Sequence, residues 1–235
     1  MQVAARLQTL VFVMSDLDLG MNNWMSEPFE APSQPIDRGK VLSAEDLERI
    51  EAYGRYKDVD GDGIGWRTLP GTRHPKAPFF TQGAGHDEYA RRSEKPGHWA
   101  DNMDRLARKH DTARQLAPGP VVEEKPGATV AIMGYGSSDP AIQEARHILR
   151  TAHGVETDYL RVRALPAADG VRDFVAARGR VHLVEQNRDA QMATILRAEH
   201  PELATRICSI LHYNGLPLDA QTVVEGILAQ EADPK

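Results

Sequence analysis

Apolar and polar positions divide the chain into two unlike parts. From residue 121 to 230, short apolar runs alternate with stretches of helical periodicity. TVAIMG (129–134), ETDYLRV (156–162), VHLVEQ (181–186) and ICSILHY (207–213) are predicted strands, and 139–152, 167–177, 190–199 and 219–230 predicted helices. Alternation at this spacing requires right-handed crossovers and gives an α/β fold, a mostly parallel sheet with helices on both faces. Before residue 121 the pattern is poorer. Residues 2–8 read as the end of a helix, and Leu10–Met14 (LVFVM) as a strand buried on both faces, because an unbroken apolar run suits a parallel sheet. Such a strand needs neighbours, and the next convincing one starts near Thr129. The expectation is that its sheet lies outside this chain; the alternative is that it joins the C-terminal sheet.

Between these parts, Pro28, Pro32 and Pro35 favour an extended path. Ser43 reads as the N-cap of a helix over AEDLERIEAY that stops at Gly54. Residues 68–97 show little periodicity, which in a stretch this long points to a functional or partner-covering role. His98–Gln115 reads as an amphipathic helix with Trp99, Met103 and Leu106 on its apolar side. The boundaries that result are 1–27, an irregular connector with two helices over 28–120, and an α/β domain over 121–235.

With 41% hydrophobic residues among 235, the chain can build a core. Its formal net charge of −6 argues against a nucleic-acid partner, whose affinity rests on clustered Lys and Arg. No apolar run reaches the roughly 18 residues that span a bilayer, and the N-terminal residues do not read as a signal peptide. The one cysteine, Cys208, sits in an apolar run and reads as core. It can form no internal disulfide and cannot by itself hold an iron-sulfur cluster, so the expected location is cytoplasmic.

The stretch most suggestive of chemistry is YGRYKDVDGDGIGWRTLPG, residues 53–71. Asp58, Asp60 and Asp62 with Gly63 match the first half of a calcium loop, in which carboxylates supply oxygens and glycine permits the turn. The second half fails, because Leu69 stands where a bidentate Glu belongs and Pro70 obstructs the exiting helix. Either calcium binds weakly there or the loop is a hydrogen-bonded turn. GYGSSD (134–139) follows a strand and precedes a helix, as a dinucleotide turn does, with Glu156 or Asp158 at the distance expected for a ribose contact. Asp139 occupies the third glycine position and favours a structural turn, with Asp139 as N-cap and Pro140 as N1. Asp16 and Asp18 close the first predicted strand, the end at which open parallel sheets place ligands. Arg67, Arg73, His86 and Asp87 are polar groups of the proline-rich stretch, and Arg67 and His86 are candidates to orient a carboxylate substrate.

VFVMSDLDLGMNNW, YKDVDGDGIGWRTLPGT, HPKAPFFTQGAGHDEYARRSE, HWADNMDRLARKHDTA, GATVAIMGYGSSDPAIQEA and VHLVEQNRDAQMATILR resemble, in order, the alpha subunit of 2-oxoacid:ferredoxin oxidoreductases, most like the 2-oxoglutarate type. The resemblance implies a complex that decarboxylates a 2-oxoacid on thiamine diphosphate, forms acyl-CoA and reduces ferredoxin. It implies that residues 1–27 close a pyrimidine-binding domain and that 121–235 resemble the transketolase C-terminal domain. The activating glutamate and the substrate motif would lie upstream of Met1, so no catalytic residue is carried over and the chain alone is expected to be inactive. Thiamine diphosphate, magnesium and a 4Fe-4S cluster would sit largely on a beta subunit. Ferredoxin and coenzyme A would be reached through the complex, and a homodimer is allowed. What transfers to this chain is position: Asp16 and Asp18, the candidates to bind the cofactor, close the pyrimidine-side domain, and 53–97 form the family's connecting segment. Two other readings compete, a calcium-binding interaction module built on 53–71 and a nucleotide-binding domain over 129–158.

Overall fold

The computed structural model describes residues 2–30, 32–81 and 83–232. In chain order these form α1 (Gln2–Leu7), α2 (Leu17–Met21), α3 (Ala44–Arg49), α4 (Pro96–Leu116), β1 (Val121–Glu123), β2 (Val130–Tyr135), α5 (Asp139–His153) and β3 (Thr157–Val162). There follow α6 (Asp169–Ala176), β4 (Val181–Glu185), α7 (Gln191–Glu199), β5 (Ile207–Leu211) and α8 (Ala220–Ala232). They fall into two compact units, Met1–Val13 with Pro28–Leu116 and Met14–Glu27 with Ala117–Lys235. Among the described residues no helix is long and apolar enough to cross a membrane.

The second unit is the predicted α/β fold. Its sheet runs β1-β3-β2-β4-β5, with only β1 antiparallel to its neighbour. Side chains alternate across a strand, so Met133, Leu160 and Leu183 join α6 and α7 in one core layer. Ile132, Tyr159 and Val184 join α5 and α8 in the other. Every predicted strand and helix of this region is present, with its ends displaced by at most two residues. β1 was not predicted. It has three residues and is held by Arg146, which donates to Glu123 at 2.6 Å, to the Thr157 hydroxyl at 3.1 Å and to Gln143 at 2.9 Å. Cys208 is half-buried on β5 and stands outside both core layers. Asp139 is the first residue of α5 and not its N-cap, which is Ser138. The Asp139 carboxylate accepts instead from the Tyr159 hydroxyl at 2.8 Å and Arg161 at 2.7 Å.

In the first unit a small core of Leu42, Leu47 and Ala77 is covered by Ile50, Tyr53 and Trp66. The predicted Ser43 cap is reinforced by Asp46, each side chain receiving a backbone N–H of the other residue, but α3 stops at Arg49, and Ile50 is extended. The apolar side predicted for α4 is outward: Trp99 is 54% exposed, and Met103 and Leu106 are exposed too, while Arg105 is buried. The cause is Gly63. It holds φ +77, and a side chain there would fall on the Arg105 carbonyl and the Lys109 backbone nitrogen, so α4 meets the acid and glycine loop backbone to backbone along its polar side.

Leu10–Met14 lies in no strand or helix, and Val13 is 92% exposed. The C-terminal sheet ends at β1 and β5 and does not include it. A strand's N–H and C=O groups need a partner edge, and the described residues offer none to this run.

Candidate functional site

The α/β unit reverses strand order between β2 and β4, the place where open sheets of this kind form a crevice at the carboxyl ends of their strands. The residues leaving β2 and β4 meet there. Glu185, fully buried at the end of β4, accepts from the Met192 and Ala193 N–H groups at 2.8 and 3.1 Å and from Asn187 at 2.9 Å. Those N–H groups open α7, where the helix dipole favours negative charge. The Tyr135 hydroxyl lies 3.4 Å from the same carboxylate. Burial, and then the Glu185 charge, push that hydroxyl up to about 12, so it stays a protonated donor.

Beside this network, Ser137 donates to the Asp16 carboxylate and accepts from Gln186 at 3.0 Å. Asp16 also caps α2, taking the Leu19 N–H at 2.9 Å. The Ser137 hydrogen bond, then the Leu19 N–H, hold its carboxyl below the usual carboxylate range. Asp16 is thus at the strand-order reversal, held by hydroxyl and amide donors suited to an anionic oxygen. Asp18 is not: it accepts from Asn22 at 2.6 Å within its own turn. Tyr135 and Ser137 follow the predicted strand 129–134, and Glu185 and Gln186 are the last two residues of the predicted strand 181–186; a place at a strand end is the one signal of the site that these four carry in the sequence.

In the first unit the three aspartates of the loop turn to cations. Lys40 bridges Asp60 at 2.8 Å and Asp62 at 2.7 Å, and Arg108 donates to Asp58 at 2.8 Å. Asp58 and Asp62 also take the Gly63 and Ile64 N–H groups. Burial opposes ionisation of Asp58, but Arg108 and the Gly63 N–H outweigh it and leave its carboxyl lowered. Among the described residues no group of three or more His, Cys, Asp or Glu side chains is placed to hold a metal ion.

Among the described residues no hydrogen bond or ring contact joins Arg67 to His86. Arg67 donates to the Arg38 carbonyl at 2.8 Å. His86 is buried, stacks on Tyr56 with ring centroids 4.0 Å apart, and borders a cleft of about 510 Å³ that Asp58, Asp101 and Arg108 also line. Arg73 is exposed and in no described contact, while Asp87 closes its own turn by accepting from the Tyr89 and Arg91 N–H groups.

Fold and rim together define an α/β unit of the open, mostly parallel class. No family model and no curated protein matches the chain. Among solved structures it is similar to the 2-oxoglutarate:ferredoxin oxidoreductase from Magnetococcus marinus, solved with 2-oxoglutarate, coenzyme A and succinyl-CoA bound. Identity is 23% and the TM-score 0.70, over 83% of this chain and 33% of that one. The chain therefore spans about a third of that protein's length. The alpha chain of a probable 2-oxoacid ferredoxin oxidoreductase from Thermoplasma acidophilum matches at 18% identity and TM-score 0.32, over 50% of this chain and 100% of that one. A split-gene transketolase, an inactive beta4 tetramer, matches at 16% and 0.38, over 47% and 40%. Those two scores are too low to carry an argument, so the shared fold rests on the Magnetococcus structure.

Proposed function

We propose that these residues are part of the alpha subunit of a 2-oxoacid:ferredoxin oxidoreductase, of the type acting on 2-oxoglutarate. The supporting observation is that blocks resembling that subunit run in order along the chain, and that a fold likeness at TM-score 0.70 covers 83% of it. In this reading residues 1–27 close a pyrimidine-binding domain, 28–120 connect, and 121–235 form the domain resembling the C-terminal part of transketolase. Leu10–Met14, apolar and exposed here, becomes a strand of the enzyme's own sheet.

These residues do not by themselves fit thiamine diphosphate. The Asp16 carboxylate is taken up by Ser137 and Leu19, and among the described residues no group of three or more His, Cys, Asp or Glu side chains is placed to hold the magnesium ion that a diphosphate needs. With a single cysteine the chain cannot hold a 4Fe-4S cluster either. Bound elsewhere in the complex, the cofactor would supply the carbanion stabilisation that 2-oxoacid decarboxylation requires. The role left to this chain is architectural: it holds the α/β unit and the connector beside that centre, with a beta subunit, coenzyme A and ferredoxin as partners. Purified alone and given 2-oxoglutarate, thiamine diphosphate and coenzyme A, it is expected to reduce no viologen dye; substrate-dependent reduction would overturn this division of labour.

A further inference from the structure

The cleft of about 510 Å³ in the first unit is walled by α4 and by the loop that carries His86, and its charge is uneven. Five carboxylates line it, Asp58, Asp87, Glu88, Asp101 and Asp104, against two guanidinium groups, Arg105 and Arg108. Both cations are already committed. Arg108 donates to Asp58, and Arg105, which is buried, gives its Nη atoms to the Gly63 carbonyl and to Asn102. Asp87 is occupied by the N–H groups of its own turn. Glu88, Asp101 and Asp104 remain, exposed and without a side-chain hydrogen bond or ion pair among the described residues. The surplus is negative, which attracts a cation and repels a carboxylate.

Exposed carboxylates alone describe an ordinary solvated face, and two further observations point to a ligand. The first is His86, which lines the cleft yet is only 7% exposed. Its Nδ1 lies 3.0 Å from the Asp87 carbonyl, and a carbonyl only accepts, so Nδ1 carries the proton. Tyr56 covers one face of the ring, with centroids 4.0 Å apart. Nε2 has no partner among the described residues, and in the neutral ring it is an acceptor left for whatever enters the cleft. An ammonium N–H is the donor it lacks. The second is aromatic: Tyr56 and Tyr89 belong to the wall, and ring faces attract cations. Tyr89 already takes Lys57 and Arg91 over its ring, at 5.9 and 5.4 Å.

We infer that this cleft is a binding site for a linear organic polycation of the polyamine class. Among the described residues no three acidic or histidine side chains are close enough to gather one metal ion. Carboxylates spread in this way suit a chain whose ammonium groups are separated by short methylene spacers, which lie against the rings. The inference does not depend on the enzymatic reading. It is tested on the full chain by calorimetry and thermal melts with spermidine, against magnesium chloride and hexaamminecobalt chloride as compact cations at matched ionic strength. Wild type is expected to bind spermidine more tightly than either compact cation. Asp101→Asn combined with Asp104→Asn should weaken spermidine about tenfold and Glu88→Gln about threefold, since each exposed pair contributes modestly. His86→Phe, which keeps a ring on Tyr56 and removes Nε2, should weaken it too. Glu225→Gln, which removes one exposed carboxylate from α8, should not. The exposed aspartates keep the test available if His86→Phe fails to fold. Absence of spermidine binding, equally tight binding of a compact cation, or equal binding by wild type and the aspartate variant overturns the proposal.

Discussion

Arg105 donates to the Gly63 carbonyl at 2.9 Å across 42 residues of sequence, and this bond fixes the acid and glycine loop against α4. Gly63 and Gly61 both adopt positive φ, at +77 and +78. Only Gly63 is closed in by α4; around Gly61 there is open space. Gly61→Ala should therefore cost about 1–2 kcal/mol, the ordinary penalty of left-handed backbone. Gly63→Ala should cost more and detach the loop from α4. Urea unfolding followed by the fluorescence of Trp66 and Trp99 compares the two, and equal losses would contradict this packing.

Lys40 places one ammonium between Asp60 and Asp62, where a calcium loop would place its ion. Burial disfavours its charge, but the two carboxylates outweigh burial and raise its basicity. Millimolar calcium should leave the melting temperature of wild type unchanged. Lys40→Met should lower it, by leaving the two carboxylates facing each other uncompensated. A calcium-dependent rise in wild type would restore the reading of this loop as an ion-binding module.

Arg146 is 8% exposed and joins α5 to β1 and β3 through Glu123 and Thr157. Arg146→Met should cost about 2–3 kcal/mol, below the full loss for a buried pair because Glu123 is partly exposed. The Arg146 guanidinium holds the Glu123 carboxyl below the usual carboxylate range. A lowered carboxyl contributes stability that is complete above its unfolded value, near 4.3, and is lost as pH falls through the lower folded value. Glu123→Gln should flatten that acid limb in a pH series of denaturant melts, and an unchanged limb would contradict the assignment.

Asp16 pins residues 14–27 to the end of β2 through Ser137. Because Asp16 is exposed, Asp16→Ala should barely move the melting of the α/β unit. It should accelerate proteolysis and hydrogen exchange across 14–27. Ser137→Ala should do the same to a lesser degree, since the Leu19 N–H still holds Asp16.

The α/β unit was legible because strands such as Val130–Tyr135 (VAIMGY), buried over residues 130–134, read as apolar runs. β1 escaped because three residues carry no period, and its place depends on Arg146, distant in sequence. Leu10–Met14 read as a buried strand because composition reports a tendency to pair and says nothing of whether an edge is available. On α4 the apolar stripe was read correctly but assigned inward, because periodicity cannot see that Gly63 draws the Arg105 side of the helix against the loop. At the candidate site, Asp16 was legible as the close of a predicted strand. Its partners Ser137 and Gln186 became visible only once β2 and β4 were side by side.

The central claim is tested most directly by reconstitution with the beta subunit and the remaining alpha-subunit residues of the same source, in the presence of thiamine diphosphate, magnesium and coenzyme A. The complex is expected to reduce ferredoxin and form succinyl-CoA with 2-oxoglutarate, and to lose that activity when residues 121–235 are deleted. Full 2-oxoglutarate-dependent activity without those residues, or no association with the beta subunit, would contradict it.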